Sequence, residues 1–178
     1  LNGNPFYSMK LIKGRTLQAI IDSLRTHPAQ ASAEYPLTKR LSIFRKACDA
    51  LSFAHSKGFI HRDIKPDNIM VGEYGEVLVM DWGLAKRIGA AELPSNRTSL
   101  SPNRDASSSS LGMTLEGDVI GTPQYMAPEQ AEGRIADLDE RSDLYSLGGI
   151  LFALLTLRPP IEGTSLDEVL GNVKSGRI

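Results

Sequence analysis

The most informative stretch of this chain is residues 60–70, which read IHRDIKPDNIM. Positions 61–68 within the stretch hold one imidazole, two cations, two carboxylates, one amide and a proline, and apolar residues stand on both sides. A solvated loop needs no such apolar flanks, and a protein core tolerates this many charged groups only when they have partners. The stretch therefore predicts a functional site held against a hydrophobic core.

The composition is that of an ordinary globular domain, and it excludes several classes of function. The chain has 178 residues, enough for one domain with a sizeable core, of which 41% are hydrophobic and 23% are charged. A net charge of −1 and the lack of a basic stripe in the sequence argue against a nucleic-acid partner. The single cysteine, Cys48, excludes an intramolecular disulfide and favours a reducing, cytoplasmic compartment. The longest apolar run, residues 144–157, is shorter than the ~20 residues that span a bilayer, so we expect a core helix there.

Apolar spacing predicts helices and a hairpin on both sides of the charged stretch. Thr16 can cap a helix over residues 17–26, and the next helix, which stops at Gly58, carries an apolar stripe at spacings of three and four. The stripe consists of Leu37, Leu41, Phe44, Cys48, Leu51 and His55. Two strands, residues 69–71 and 77–80, are joined by a turn through GEYG.

The second half of the chain is predicted to hold a long loop and two helices. Residues 88–113 are rich in Ser, Asn, Pro and Gly, which predicts a mobile loop because few side chains there can be buried. The run 144–157 predicts a helix that is apolar on all sides and that Ser142 or Asp143 opens. A last, partly exposed helix is predicted over residues 165–175.

The charged stretch and the motif after the hairpin together suit phosphoryl transfer. A carboxylate such as Asp63 can orient an attacking hydroxyl and accept its proton. Lys65 can neutralise a transferring phosphate, and Asn68 offers a neutral oxygen ligand to a hard cation such as Mg²⁺. Asp81, at a strand end in DWG, can supply a charged ligand to the same metal.

Several motifs in order resemble the catalytic core of the eukaryotic-type Ser/Thr protein kinases. They are HRDIKPDN at 61–68, DWG at 81–83 and GTPQYMAPEQ at 121–130, and the wording of the last is most similar to bacterial members. The resemblance implies an α+β, protein-kinase-like fold whose larger lobe is mainly helical with short β hairpins. It also implies ATP and Mg²⁺ as cofactors and protein substrates with Ser or Thr acceptors.

The resemblance implies a role for each matching residue. Asp63 is expected to be the catalytic base, with Lys65 on the phosphate and with Asn68 and Asp81 on Mg²⁺. Lys65 and Thr122 indicate serine or threonine acceptors rather than tyrosine. The expected adenine site consists of Met9 as gatekeeper, the backbone of Lys10 and Ile12, and Met70 beneath the ring. His61 is expected to be structural.

The resemblance also implies regulation through the loop before APE. Arg62 is expected to grip a phosphorylated loop residue, because guanidinium pairs bidentately with phosphate. Thr114 is the favoured phosphorylation site, and Asp118 can supply part of that charge permanently. For any single serine of the Ser-rich run, a solvated linker without regulatory phosphate is the favoured interpretation.

The resemblance extends over the whole chain, which corresponds to part of a kinase domain. Residues 1–15 correspond to the hinge, 16–80 to helices, catalytic loop and hairpin, 81–129 to the activation segment with a Ser-rich insertion, and 130–178 to the central and following helices. No G-x-G-x-x-G sequence is present, so we expect the ATP-covering N-lobe upstream of residue 1 and poor activity of the 178 residues alone. Any membrane anchor would then lie outside this chain.

Two departures and two alternatives remain. Trp82 replaces the usual phenylalanine of DFG, and the loop from Asp81 to Glu129 is longer than usual for the family by the Ser-rich insertion. Glu129 of APE is also expected to lack its arginine partner. A kinase-derived scaffold without activity is the main alternative to an enzyme, although the intact Asp63, Asn68 and Asp81 weigh against it. A small-molecule phosphotransferase is disfavoured by the peptide-docking segment GTPQYMAPEQ.

Overall fold

A computed structural model of the chain describes residues 13–88 and 123–177. Within these residues the predicted α+β fold is confirmed, since helices predominate over short antiparallel sheets. The helices are α1 (Leu17–Thr26), α2 (Pro28–Glu34), α3 (Leu37–Ser56), α4 (Pro128–Ala131), α5 (Glu140–Thr156) and α6 (Leu166–Ser175). The strands are β1 (Arg15–Thr16), β2 (Phe59–Ile60), β3 (Ile69–Val71), β4 (Val77–Val79) and β5 (Lys86–Arg87).

Two small antiparallel sheets frame the charged stretch. The first has the strand order β1-β3-β4, and the predicted hairpin pairs Ile69 with Val79 and Val71 with Val77. In the second sheet β2, directly before the charged stretch, pairs with β5. The charged stretch therefore leaves one sheet at β2 and enters the other at β3.

Helix α1 has the start and the buried face that the sequence predicts. The Thr16 hydroxyl accepts a hydrogen bond from Ala19 N at 3.1 Å, which caps the helix. Its buried residues are Leu17, Ile20, Ile21 and Leu24. Helix α2 was not predicted, because its seven residues bury only Ala31 and so produce no periodic apolar pattern.

The buried face of α3 differs from the predicted stripe. The buried residues are Ile43, Ala47, Leu51 and Ala54, whereas Leu37 and Leu41 are 45% and 39% exposed. The prediction counted large apolar side chains, but small alanines allow closer approach of a neighbouring element and mark the contact face here. Phe44 and Cys48 flank this face and are partly buried.

Helix α5 begins earlier and is less uniformly buried than predicted. It starts at Glu140 because the Asp139 carboxylate caps it, accepting a hydrogen bond from Arg141 N at 2.8 Å, so Ser142 and Asp143 already lie inside the helix. One face, including Ile150 and Leu154, enters the core.

The opposite face of α5 is open, with Leu144 56% and Leu155 54% exposed. The main core joins α5 to α1, α3, β3 and Tyr125, and a smaller cluster of Ile161, Val169 and Val173 underlies α6. None of the helices in the described part of the chain is long and apolar enough to cross a membrane.

Candidate functional site

A buried carboxylate on α5 anchors the start of the charged stretch. Asp143 is 1% exposed. Its Oδ2 accepts a hydrogen bond from His61 N at 2.8 Å, and its Oδ1 accepts one from Arg62 N at 2.9 Å. Oδ2 also lies 2.7 Å from His55 Nε2 on α3. Arg62 has a φ of 72°, a conformation that is unfavourable for a residue with a Cβ. The two bonds to Asp143 hold the backbone in this conformation.

The buried ring of His61 joins two segments of the site. Its ring is fully buried, and because Asp63 N donates to Nδ1 at 3.2 Å, the ring proton lies on Nε2 and is donated to Met80 O at 2.8 Å. The ring also meets Trp82 edge-on at a centroid distance of 4.6 Å. His61 thus ties the charged stretch to the residues that surround Asp81.

The candidate base sits within a small polar cluster. The two Asp63 carboxylate oxygens accept hydrogen bonds from Lys65 Nζ at 2.9 and 3.2 Å. Asn68, which is 7% exposed, donates from Nδ2 to Asp63 Oδ2 at 3.0 Å and to Asp63 O at 2.7 Å. Because both bonds use Nδ2, the amide oxygen of Asn68 is the atom that could ligate a metal. The structure therefore brings Asp63, Lys65 and Asn68 together as the sequence predicts.

Asp81 and Met70 lie at the hairpin beside this cluster. Met80 N donates to Asn68 O at 2.8 Å, so Asp81 directly follows a residue that is bonded to Asn68. Asp81 is exposed and left-handed, with φ 60° and ψ 64°. Met70 is half-buried in the middle strand of its sheet, opposite Thr16 and Leu78. Among the described residues, His, Cys, Asp and Glu side chains form no cluster of three that could hold a metal.

Trp82 occupies the position of the usual phenylalanine without being fully buried. Its indole Nε1 donates to Val79 O at 3.0 Å, and the side chain is 39% exposed. The contacts with Val79 and His61 place the larger ring against the hairpin end that carries Asp81.

Glu129 has a hydrogen-bond partner within the chain. The Ser142 hydroxyl donates to Glu129 Oε1 at 2.6 Å, and Ser142 is 1% exposed. The Ser142 hydroxyl is a neutral donor, so this bond does not test the prediction that Glu129 lacks its arginine partner, which stays a prediction. Nearby, Ser146 Oγ donates to Tyr125 O at 2.8 Å, so α5 holds APE through Glu129 and the residues before it through Tyr125.

Burial changes two protonation equilibria near the core. It raises the pKa of Tyr125 to about 12, with further contributions from the charges of Asp67 and Asp22. Burial also raises the pKa of the Cys48 thiol, which makes the reactive thiolate scarcer.

Several predicted site residues lie outside the described residues. They are Met9, Lys10 and Ile12 of the adenine site and Thr114, Asp118 and Thr122 of the regulatory segment. The sequence reasoning missed the anchoring role of Asp143. A lone carboxylate entering the long apolar run of α5 was the signal that could have indicated it, because such a charge needs buried partners.

The site consists of an anchored polar loop that presents an aspartate, a lysine and an asparagine beside a second aspartate. This arrangement is that of a protein kinase catalytic core. The model of the protein kinase domain family matches residues 8–175, and the chain belongs to this family.

The chain is also similar to bacterial kinases. It is 40% identical over 176 residues to the serine/threonine-protein kinase PknD of Protochlamydia amoebophila, and this match covers 94% of this chain and 17% of that protein. It is 38% identical over 158 residues to PknD of Chlamydia caviae, and this match covers 87% of this chain and 16% of that protein. The chain thus spans about a sixth of the length of these relatives.

Proposed function

We propose that the protein containing this chain transfers the γ-phosphoryl group of ATP to serine or threonine hydroxyls of proteins. The observation that supports this most is the Asp63 carboxylate, held by Lys65 and Asn68 in a loop that Asp143 anchors. A carboxylate held at a defined position can orient a hydroxyl and accept its proton, and such general-base catalysis contributes about 10²–10⁴-fold.

The other candidate residues supply charge and ligands in this proposal. Lys65 neutralises phosphate charge once substrate separates its ammonium group from Asp63. The Asn68 amide oxygen and the Asp81 carboxylate are the hard oxygen donors that suit Mg²⁺. When bound, Mg²⁺ neutralises charge on the phosphates of ATP. Met70 is proposed to pack beneath adenine.

Met9 and the backbone of Lys10 and Ile12 are proposed to complete the adenine site. Arg62 is proposed to bind a phosphate on Thr114, with Asp118 as a weaker permanent charge and with Thr122 packing near the base. Phosphate on Thr114 would add about two negative charges at neutral pH, so a Thr114→Ala variant is expected to lose activation by prior phosphorylation.

The proposal is tested with the complete natural protein in which this chain occurs. Wild type, Asp63→Asn and the control Asp49→Asn are each supplied with labelled ATP, Mg²⁺ and a Ser/Thr-containing protein. Asp49 is an exposed carboxylate on α3 that pairs with Arg45 and lies in none of the proposed sites. We expect Asp63→Asn to lower kcat at least about 100-fold and Asp49→Asn to leave it unchanged.

Two outcomes would contradict this proposal. Label found on tyrosine would overturn the acceptor assignment. A wild-type protein that binds ATP but transfers no phosphoryl group would instead support the scaffold alternative.

A further inference from the structure

One glutamine side chain connects α4 to the backbone that carries the candidate base. Gln130 Nε2 donates to Arg62 O at 2.7 Å, although the two residues are 68 positions apart in the sequence. The same amide accepts a hydrogen bond at Oε1 from Ala127 N at 3.2 Å, which caps the start of α4. Both ends of the amide are therefore in use, each on a different backbone segment.

The bond to Arg62 acts on the peptide group that leads into Asp63. The N–H of Arg62 donates to Asp143, and the carbonyl oxygen of Arg62 accepts from Gln130. Both backbone polar groups of this residue, which has the unfavourable φ of 72°, are therefore hydrogen-bonded. Because a peptide group is planar, fixing Arg62 O also fixes the direction of Asp63 N, which donates to His61 Nδ1. The orientation of the Asp63 backbone thus depends on a side chain from α4.

We infer that Gln130 is a positioning residue for phosphoryl transfer, setting the orientation of Asp63 through the Arg62 carbonyl. The inference rests on the proposed function, in which Asp63 acts on the acceptor hydroxyl. It also gives a physical route by which a movement of α4, in the segment just after residues 89–122, reaches the base.

A helix-capping role alone would not need the second bond. Capping uses only Oε1, and glutamate caps a helix at this position as glutamine does. Gln130→Glu therefore keeps an acceptor for Ala127 N but places an oxygen without a proton against Arg62 O. This variant separates the positioning bond from the capping bond, and Gln130→Met removes both without introducing a charge.

The first experiment measures steady-state kinetics with the complete natural protein. We expect Gln130→Glu and Gln130→Met to lower kcat about 10- to 100-fold, the size of effect that a small misplacement of a catalytic group produces, with KM for ATP changed less than about twofold. The matched control is Gln30→Glu on α2, where the side chain is exposed, and its kcat should equal that of wild type.

A double-mutant cycle with Asp63→Asn decides whether Gln130 acts through Asp63. If it does, adding Gln130→Glu to Asp63→Asn should reduce the residual rate less than about twofold, because the group being positioned is already gone. An equal fold-loss in both backgrounds would show a general structural effect and overturn the inference. An unchanged kcat in Gln130→Glu, with the variant folded by circular dichroism, would also overturn it.

A second measurement separates this inference from the proposed function. The carbonyl carbon of Arg62 and the amide nitrogen of Asp63 are followed by NMR in Gln130→Glu and in Gln30→Glu. Both resonances should shift in the first variant and stay in place in the second. Absence of transfer by wild type would refute the kinase proposal, whereas unmoved Arg62 and Asp63 resonances would refute the positioning by Gln130.

Discussion

Replacing Asp143 by asparagine tests how the catalytic loop is held. The carboxylate accepts hydrogen bonds from two backbone donors, His61 N and Arg62 N, and is nearly completely buried. An asparagine has the same shape but only one acceptor oxygen, so either orientation leaves one backbone N–H facing an NH₂ group. The substitution therefore breaks hydrogen bonding without leaving a cavity.

The expected loss follows from the donors involved. A buried donor left without an acceptor costs about 1–3 kcal/mol, and the remaining bond loses about 1 kcal/mol when its acceptor is no longer charged. Together these effects lower the free energy of unfolding by about 2–4 kcal/mol. Natural domains are stable by only about 5–15 kcal/mol, so the loss is easily measured.

Urea unfolding followed by far-ultraviolet circular dichroism measures this loss, and a matched substitution on the same helix is the control. Asp139→Asn should cost less than about 1 kcal/mol, because asparagine is an equally good helix cap and the exposed ion pair with Arg141 contributes little. Amide hydrogen exchange at His61 and Arg62 should speed up only in Asp143→Asn. If both variants lost the same free energy of unfolding, with the same slope against urea concentration, the anchoring role of Asp143 would be refuted.

Three further predictions concern stability. Gly14→Ala should lower the free energy of unfolding, measured by urea titration, by about 1–3 kcal/mol. Gly14 has a φ of 155°, and an added Cβ would lie 2.3 Å from Val71 O. An unchanged urea midpoint would contradict the close approach of β1 to β3. Ser142→Ala should cost about 1–2 kcal/mol through the lost hydrogen bond to Glu129, and Glu129→Gln, which keeps an acceptor, should cost less. Since the pKa of Tyr125 is raised from 10.0 to about 12, its neutral form contributes stability below pH 10 that is lost as the pH rises towards 12. An ultraviolet difference titration of wild type against Tyr125→Phe should show this late-titrating phenol, and a difference pKa near 10 would contradict its burial.

Local signals in the sequence were enough for several elements and for the central cluster. The Thr16 cap, the α1 face and the β3–β4 hairpin were predicted because each depends on residues close together in the chain. The same holds for Asp63, Lys65 and Asn68, which are at most five positions apart and meet in one short loop. The motifs in their order resemble those of the protein kinases, so this resemblance indicated the family from the sequence.

Other features depended on which distant segments meet. The buried face of α3 follows its neighbours rather than its largest side chains, and so Ala47 is buried while Leu37 is exposed. The sequence predicts that Ser142 or Asp143 opens α5, whereas Asp143 lies inside the helix and accepts hydrogen bonds from Arg62 N and His61 N, which are 81 and 82 positions away.

The chemistry that the charged stretch can offer, and the short elements that flank it, follow from residues that are neighbours in the sequence. What holds that stretch in place is visible only in the folded molecule, where Asp143 accepts from the Arg62 N–H and Gln130 donates to the Arg62 carbonyl. A buried polar group must find a partner, but neither its residue type nor its local spacing specifies which distant backbone group supplies one.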